Sequence, residues 1–290
     1  MEELEEVYND FERKNKRYTK EEYVEFKRQE KQDLYDLIDS TALEIANDGN
    51  KFKQFLDIQG NFEQYSVGNC LALVGQMPEA TIVRDYESWR SLGGYPRKEH
   101  VDLKILEPGD SYMREDGSVG VSWNVKYVID ISQVNIKNRP KKMRYNEKLL
   151  LRTFLNCSRA KVEMVSELPI TDKSAYYNSD ENVLYVKRGS NIPEIFYDVT
   201  EALSEQEMGK VSSIDNFYNK CVSYMLCRKY GIDVSKIDIT NIPGELKLMD
   251  AREIREHLQP IHNAMENLTV RANKCIEVYS KQNKEKVNER

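Results

Sequence analysis

The residue types that most often build catalytic or metal sites are sparse in this sequence. Its histidines are His100, His257 and His262, and no two of them have the i, i+4 spacing that places two imidazoles on one helix face. Five cysteines are scattered without paired C-x-x-C spacing, so we interpret them as reduced core residues rather than zinc ligands or disulfides. The sequence contains no G-x-x-x-x-G-K-[ST], G-x-G-x-x-G or G-x-S-x-G motif, which argues against P-loop, dinucleotide-binding, kinase and α/β-hydrolase chemistry.

A basic segment lies near the middle of the chain, opposed only by Glu147. Its lysines and arginines are Lys137, Arg139, Lys141, Lys142, Arg144, Lys148 and Arg152. A solvated linker followed by a helix start explains this segment, and so does a local phosphate-binding track. The formal charge is −4 over residues 1–36, −6 over 37–135 and +4 over 136–290, which sums to −6. This acidic balance weighs against tight nonspecific nucleic-acid binding, because that affinity comes mostly from basic residues.

The elements that must position these residues change character along the chain. Residues 1–36 are charge-dense, with apolar residues at roughly helical intervals, which fits a charged helix or an arm. Helical patterns continue to about residue 92, and then the period becomes two, with a turn at Pro108–Asp110 and another at Asp116-Gly117. The strongest strand signal covers 119–131. Residues 37–136 therefore form a unit of helices followed by strands.

A second unit is predicted over residues 145–280, after the break at Asn138-Arg139-Pro140. Short strands are expected over 161–165, 174–177 and 182–186, and helices over 193–208, 214–230 and 251–279. The fold class is thus α+β with two domains: an N-terminal helix-then-strand domain and a mainly helical C-terminal domain with a small sheet.

Size and composition limit the class of protein. At 290 residues, 40% hydrophobic and 32% charged, the chain can build one large or two ordinary domains. Since no window approaches about 18 consecutive apolar residues and the N-terminus is acidic, we expect a cytoplasmic protein without a membrane span.

Several segments resemble, in order and spacing, the N-terminal domain of ArdC-type antirestriction proteins. These segments are YSVGN (65–69), QMPEAT (76–81), WRSLG (89–93), Arg97-Lys98 and VKYVIDISQ (125–133). The family, which includes LtrC-like proteins of mobile elements, pairs a single-stranded-DNA-binding domain with a zincin-like metallopeptidase domain. The resemblance covers residues 40–135 well and 145–278 more loosely.

The resemblance implies a nucleic-acid site built from stacking aromatics and scattered positive charge. The candidate binding residues are Tyr65, Asn69, Arg84, Arg90, Arg97, Lys98, Lys126, Lys141, Lys142 and Arg144. Trp89 and Trp123 could offer stacking faces, although their apolar neighbours favour a place in the core. The family's basic K-G-E-K-G turn is replaced here by Lys98–Asp102, which removes both glycines and one lysine.

The family's zinc motif is degenerate in this sequence. Aligned with His-Glu-x-x-His, the chain has Thr200, Glu201 and Ser204, and Lys220 takes the position of the third ligand. Hydroxyls are poor zinc ligands and an ammonium repels the metal, so the resemblance implies an inactive domain without a metal or other cofactor. We predict that Glu201 and Lys220 form an ion pair in the former site.

The sequence therefore predicts a non-catalytic, single-stranded-DNA-binding protein of a mobile element with an inactive metallopeptidase-like domain. The alternative is a protein-interaction module that has lost DNA binding, for example an inhibitor of a host defence protein. An active metal-dependent peptidase would need ligands that this alignment does not supply.

Overall fold

The computed structural model describes residues 19–140, 145–209, 214–235 and 237–288, without the side chains of 280–288. The predicted binding residues Lys141, Lys142 and Arg144 lie outside the described residues, as does most of the predicted N-terminal segment 1–36.

Three capped helices open the described chain. They are α1 (Lys20–Asn47), α2 (Gly49–Asn61) and α3 (Val67–Gln76). Each begins at a side chain that accepts a hydrogen bond from a free backbone N–H of the first turn: Thr19, Asp48 and Ser66, respectively. α1 continues without a break through residue 36, where the sequence pattern suggested a segment boundary.

A small antiparallel sheet follows these helices. The elements are β1 (Val83–Arg84), α4 (Tyr86–Ser91), β2 (Tyr95–Pro96), β3 (Leu103–Met113), β4 (Val119–Asp130) and β5 (Val134–Asn135). The strand order is β1-β4-β3, and β2 pairs separately with β5. The strong strand predicted over 119–131 is confirmed as β4.

The predicted turn at Pro108–Asp110 is wrong, because β3 continues through these residues with a register shift between Pro108 and Ser111. Pro108 is tolerated because β3 is an edge strand. Gly109 is required by close packing: a Cβ atom there would lie 2.6 Å from the side chains of Ser122 and Asn124.

Helix α3 covers the open edge of β3 with two side-chain amides. Asn69 donates from Nδ2 to the carbonyl of Leu106 over 2.8 Å and accepts from its N–H over 2.7 Å. Gln76 makes the same pair of bonds to Lys104, at 2.9 and 2.8 Å. The helix therefore supplies the hydrogen bonds that a neighbouring strand would otherwise provide.

The second half of the chain is mainly helical. Its elements are α5 (Glu147–Leu155), β6 (Lys161–Val165), β7 (Ala175–Asn178), β8 (Val183–Lys187), α6 (Ile192–Met208), α7 (Asp215–Tyr230), α8 (Gly244–Lys247) and α9 (Ala251–Asn288). The strand order is β6-β8-β7, with β6 parallel and β7 antiparallel to β8, so all three predicted strands are confirmed. α9 contains Pro260 within a single continuous helix.

One hydrophobic core joins the two halves. It runs from Leu34 on α1 to Ala272 on α9 and includes buried residues of α2, α3, α6 and α7. α9 packs against α1 and α3 as well as α5, α6 and α7. The fold is α+β, as predicted. Within the described ranges, no helix has the length and apolar character needed to cross a membrane.

Candidate nucleic-acid interface and the degenerate metal motif

A cavity of about 610 Å³ lies between the α2–α3 loop, β1 and the β3–β4 sheet, and we call it the sheet cavity. Four of the predicted binding residues line it: Tyr65, Asn69, Arg84 and Lys126. Trp123, at 39% exposure, also lines it, whereas Trp89 is fully buried. Chain folding thus brings together aromatic and basic residues that are up to 61 positions apart in the sequence.

The two aromatic residues of the sheet cavity have different surroundings. Tyr65 is half-buried and stacks on Phe62, with ring centroids 5.5 Å apart and planes inclined by 10°. Burial is the main reason why the pKa of Tyr65 is raised. Trp123 is paired with Pro108 beside the register shift of β3, and its side chain is partly exposed.

The charges of the sheet cavity are nearly balanced. Lys126 lies between Glu107 and Asp85, with N–O distances of 3.1 and 3.4 Å. Its hydrogen bond to Glu107 is the main cause of a raised pKa. The ammonium therefore stays charged, and the two neighbouring carboxylates balance its charge. Asp85 also caps α4 by accepting from the Ser88 N–H over 2.7 Å. Arg84 is exposed and lies 5.9 Å from the Trp89 ring.

Asn69 has a structural role, since both Nδ2 and Oδ1 of its side-chain amide are hydrogen-bonded to the backbone of Leu106. The side chain forms part of the cavity wall, and it fixes the position of β3 rather than presenting a free amide. A contact to an edge strand 37 residues away is not visible in the sequence pattern.

The remaining described candidates lie away from the sheet cavity. Arg90 on α4 and Arg97 and Lys98 after β2 are exposed and do not line it. The Arg97 N–H donates to the Gln133 carbonyl over 2.9 Å, which ties this loop to the turn between β4 and β5.

A second cavity of about 450 Å³ adjoins the first and shares Asn61, Thr81 and Ile82 with it. This adjoining cavity contains three basic residues, Arg139, Arg228 and Lys229. Arg228 is bound to Asp57 over 2.9 Å, and Lys229 to Glu63 over 2.8 Å. Sequence reasoning missed Arg228 and Lys229, because they lie on α7, in the half of the chain assigned to the peptidase-like domain.

Two of the residues that the sequence resemblance aligns with the zinc motif, Thr200 and Ser204, lie in a buried cluster of hydroxyls and a thiol between α6 and α7. We call Thr200, Ser204, Ser223 and Cys227, all fully buried, the hydroxyl cluster. The hydroxyls of Thr200 and Ser223 are 2.6 Å apart, and Ser223 also donates to the Tyr197 carbonyl over 2.9 Å. Burial raises the pKa of Cys227 to about 12, so its thiol stays protonated at neutral pH.

The predicted Glu201–Lys220 ion pair is wrong. Glu201 is bound to Lys173 over 2.6 Å, and Lys173 precedes β7 on the opposite side of α6. Lys220 is exposed on α7 and is coupled electrostatically to Asp238. Ser223, three residues further along α7, contacts Thr200 instead.

This donor set does not fit a zinc ion. Zinc prefers imidazole, thiolate and carboxylate ligands, whereas three of the four members of the hydroxyl cluster offer only neutral hydroxyls. The adjacent Glu201 carboxylate already has the Lys173 ammonium as its cation. In the described parts of the chain, no three His, Cys, Asp or Glu side chains are grouped as metal ligands.

An acidic cavity of about 610 Å³ lies at the start of α6, beside Tyr197 and Asp198. The Ser174 N–H donates to Asp198 over 2.6 Å. Burial is the main cause that raises the pKa of Asp198 to about 6, with Glu201 adding repulsion. This carboxyl therefore takes up a proton at mildly acidic pH.

In comparisons with known proteins, the chain showed similarity to solved structures but not to family models or curated proteins. No family model matches the chain, and no curated protein matches it. The chain is similar to crystal structures of the antirestriction protein ArdC from the R388 plasmid, in metal-free and Mn(II)-bound forms. Both have a TM-score of 0.48 and 17% identity, covering 72% of this chain and 86% and 85% of theirs. They are structures of the family that the sequence resembles, but a likeness of this degree assigns no activity to the chain.

Proposed function

We propose that the sheet cavity and the adjoining basic cavity bind single-stranded DNA, and that the chain acts without peptidase activity in antirestriction for a mobile element. The observation that carries the proposal is the presence of Tyr65, Trp123, Arg84 and Lys126 in one cavity. The resemblance of residues 65–133 to the ArdC-type domain supports the antirestriction role.

Stacking is the main source of affinity in this proposal. Each base that stacks on an aromatic side chain contributes about 1–3 kcal/mol, and the sequence of the strand matters little. Trp123 is the more accessible of the two aromatics, because Tyr65 already stacks on Phe62. We therefore expect a base to stack on Trp123, and we expect the edge of Tyr65 to limit how far that base enters the sheet cavity.

Few charges are free to bind phosphate. Among the described residues that line the two cavities, Arg84 and Arg139 form no salt bridge, whereas Lys126, Arg228 and Lys229 do. Two phosphate contacts give a slope of about −1.4 in a plot of log affinity against log salt. Affinity then falls about sevenfold between roughly 50 and 200 mM salt, which is a modest dependence.

The test is fluorescence anisotropy of a labelled oligo(dT) strand titrated with protein at these two salt concentrations. Arg84→Gln is expected to weaken binding about fivefold at the lower salt and to reduce the slope by about 0.7. Arg252→Gln is the matched control, because Arg252 is exposed on α9 and lines neither cavity. Equal losses in both variants, or no binding of the wild type at the lower salt, would refute the proposed site.

The second candidate function is protein binding, and the free end of the β3–β4 hairpin favours it. Met113 and Val119 are paired across this end and are 73% and 66% exposed, and Val121 follows at 43%. Contiguous exposed apolar residues of this kind commonly mark interaction surfaces. If oligo(dT) does not bind at low salt, protein binding becomes the better explanation of this half of the molecule.

A further inference from the structure

Two cysteines meet where the end of α5 packs against α9. Cys157 lies two residues beyond α5, and Cys275 lies on the part of α9 that packs there, close enough to contribute to the raised pKa of Cys157. The two residues are 118 positions apart in the sequence, so their meeting results from the packing of α9 on α5.

Tyr279 of α9 makes two further contacts with the end of α5. Arg152 lies over the ring of Tyr279 at 5.2 Å, and Asn156 donates to the Tyr279 hydroxyl. Tyr279 and Cys275 are one helical turn apart, so they share the face of α9 that is turned toward α5. Arg152 and Asn156 therefore hold this face of α9 against the end of α5.

Arg271, one turn before Cys275, gives the pair a nearby positive charge. Its Nη2 donates to the buried Glu207 carboxylate over 2.5 Å, and its guanidinium is close enough to Cys157 to act on the pKa of that thiol. The Nε atom of Arg271 is buried and meets no other acceptor among the described residues. This positive charge offsets part of the effect that burial has on Cys157, and the thiolate is the form that takes part in disulfide chemistry.

The two thiols differ in access to solvent. Cys157 is 3% exposed, whereas Cys275 is partly exposed. Burial raises the pKa of Cys157 to about 12, although Arg271 opposes the shift. Cys275 is therefore the thiol that meets an oxidant first, and Cys157 is the buried partner that completes the reaction.

We propose that Cys157 and Cys275 form a reversible redox pair that closes to a disulfide under a two-electron thiol oxidant such as diamide. The Cys275 thiolate adds to the N=N bond of diamide, and Cys157 then attacks the Cys275 sulfur. The S–S bond forms as the S–N bond breaks, and the hydrazine product keeps both electrons and both protons.

The disulfide would link α9 to the end of α5 and close a loop of 119 residues, counting both cysteines. Such a bond restricts the unfolded chain and thereby stabilises the folded state. The melting temperature is expected to rise by about 5–10 °C on oxidation and to return after reduction.

The test is diamide treatment of the folded full-length protein, followed by thiol counting and peptide mass spectrometry without reduction. The expected result is loss of two thiols and a linked pair of peptides containing Cys157 and Cys275. Cys70, Cys221 and Cys227 are fully buried and should stay free, so they serve as internal controls.

Two variants make the test decisive. Cys275→Ser should abolish both the linked peptide and the rise in melting temperature, whereas Cys70→Ser should keep both. The proposal is overturned if the wild type forms no intramolecular link, or if Cys275→Ser still loses two thiols. It is equally overturned if the linked form melts at the same temperature as the reduced form.

Discussion

Replacing Asn69 by alanine separates a structural role from a binding role at the sheet cavity. The substitution removes two hydrogen bonds to Leu106 and leaves a backbone donor and acceptor without partners at a covered strand edge. Each lost bond costs about 0.5–1.5 kcal/mol, and each unpaired buried group raises that cost. We expect Asn69→Ala to lower the free energy of unfolding by about 2–4 kcal/mol.

Gln76→Ala is the matched control. Gln76 makes the same two hydrogen bonds to Lys104, two residues before Leu106 on β3, but it does not line the cavity. The loss of stability in Gln76→Ala should be somewhat smaller, since Gln76 is less buried than Asn69. Urea unfolding followed by tryptophan fluorescence measures both values, because Trp89 is fully buried in the native state.

The folded Asn69→Ala protein should bind oligo(dT) within about twofold of the wild type, because its amide is engaged with Leu106. A loss of stability below about 0.5 kcal/mol together with a tenfold loss of DNA affinity would refute this reasoning. Asn69 would then be a direct ligand-binding residue.

Three further predictions concern titration and charge. Burial lowers the pKa of His262 from 6.5, and Gln59 donates to its Nδ1 over 3.1 Å. The unfolded chain therefore binds this proton more readily, so the contribution of His262 to the free energy of unfolding should fall as the pH drops below about 6.5, whereas the raised pKa of Asp198 acts in the opposite direction. The difference between the urea-unfolding profiles of the wild type and His262→Gln isolates the contribution of His262. Lys173→Met should lower the free energy of unfolding in urea by about 1–3 kcal/mol, because it leaves Glu201 without its cation. Adding Glu201→Gln should recover most of this loss. If the single and the double variant are equally stable, the ion pair does not contribute to stability. Lys220→Ala should change stability by less than about 0.5 kcal/mol, and a larger loss would indicate a partner other than solvent.

Much of the local structure could be predicted because it depends on neighbours in the sequence. The alternation of apolar and polar residues over 119–131 identified β4, and Gly231 ends α7 in the left-handed conformation as a helix-terminating glycine should. The bulge at Pro108 could not be found in this way. Whether such a Pro-Gly pair turns the chain or stays within an edge strand depends on the partner strand.

The candidate sites were harder to predict because their contacts are long-range. Lys173 reaches Glu201 across 28 residues, and no periodicity indicates that β7 places it there. Lys220 was predicted to pair with Glu201, but Ser223 is the α7 residue that contacts this part of α6, through Thr200. Tyr65, Arg84 and Lys126, which the resemblance marked as candidates for nucleic-acid binding, line one cavity, but the sequence did not predict that cavity.

Photo-crosslinking of oligo(dT) to the full-length protein tests the central claim most directly. Ultraviolet irradiation joins thymine to aromatic side chains in contact with it, and mass spectrometry identifies the joined peptide. Crosslinks are expected at Trp123 or Tyr65, which line the sheet cavity, and they should be lost in competition with unlabelled strand. Crosslinks confined to exposed aromatics outside the cavity, such as Tyr23 or Tyr95, would contradict it.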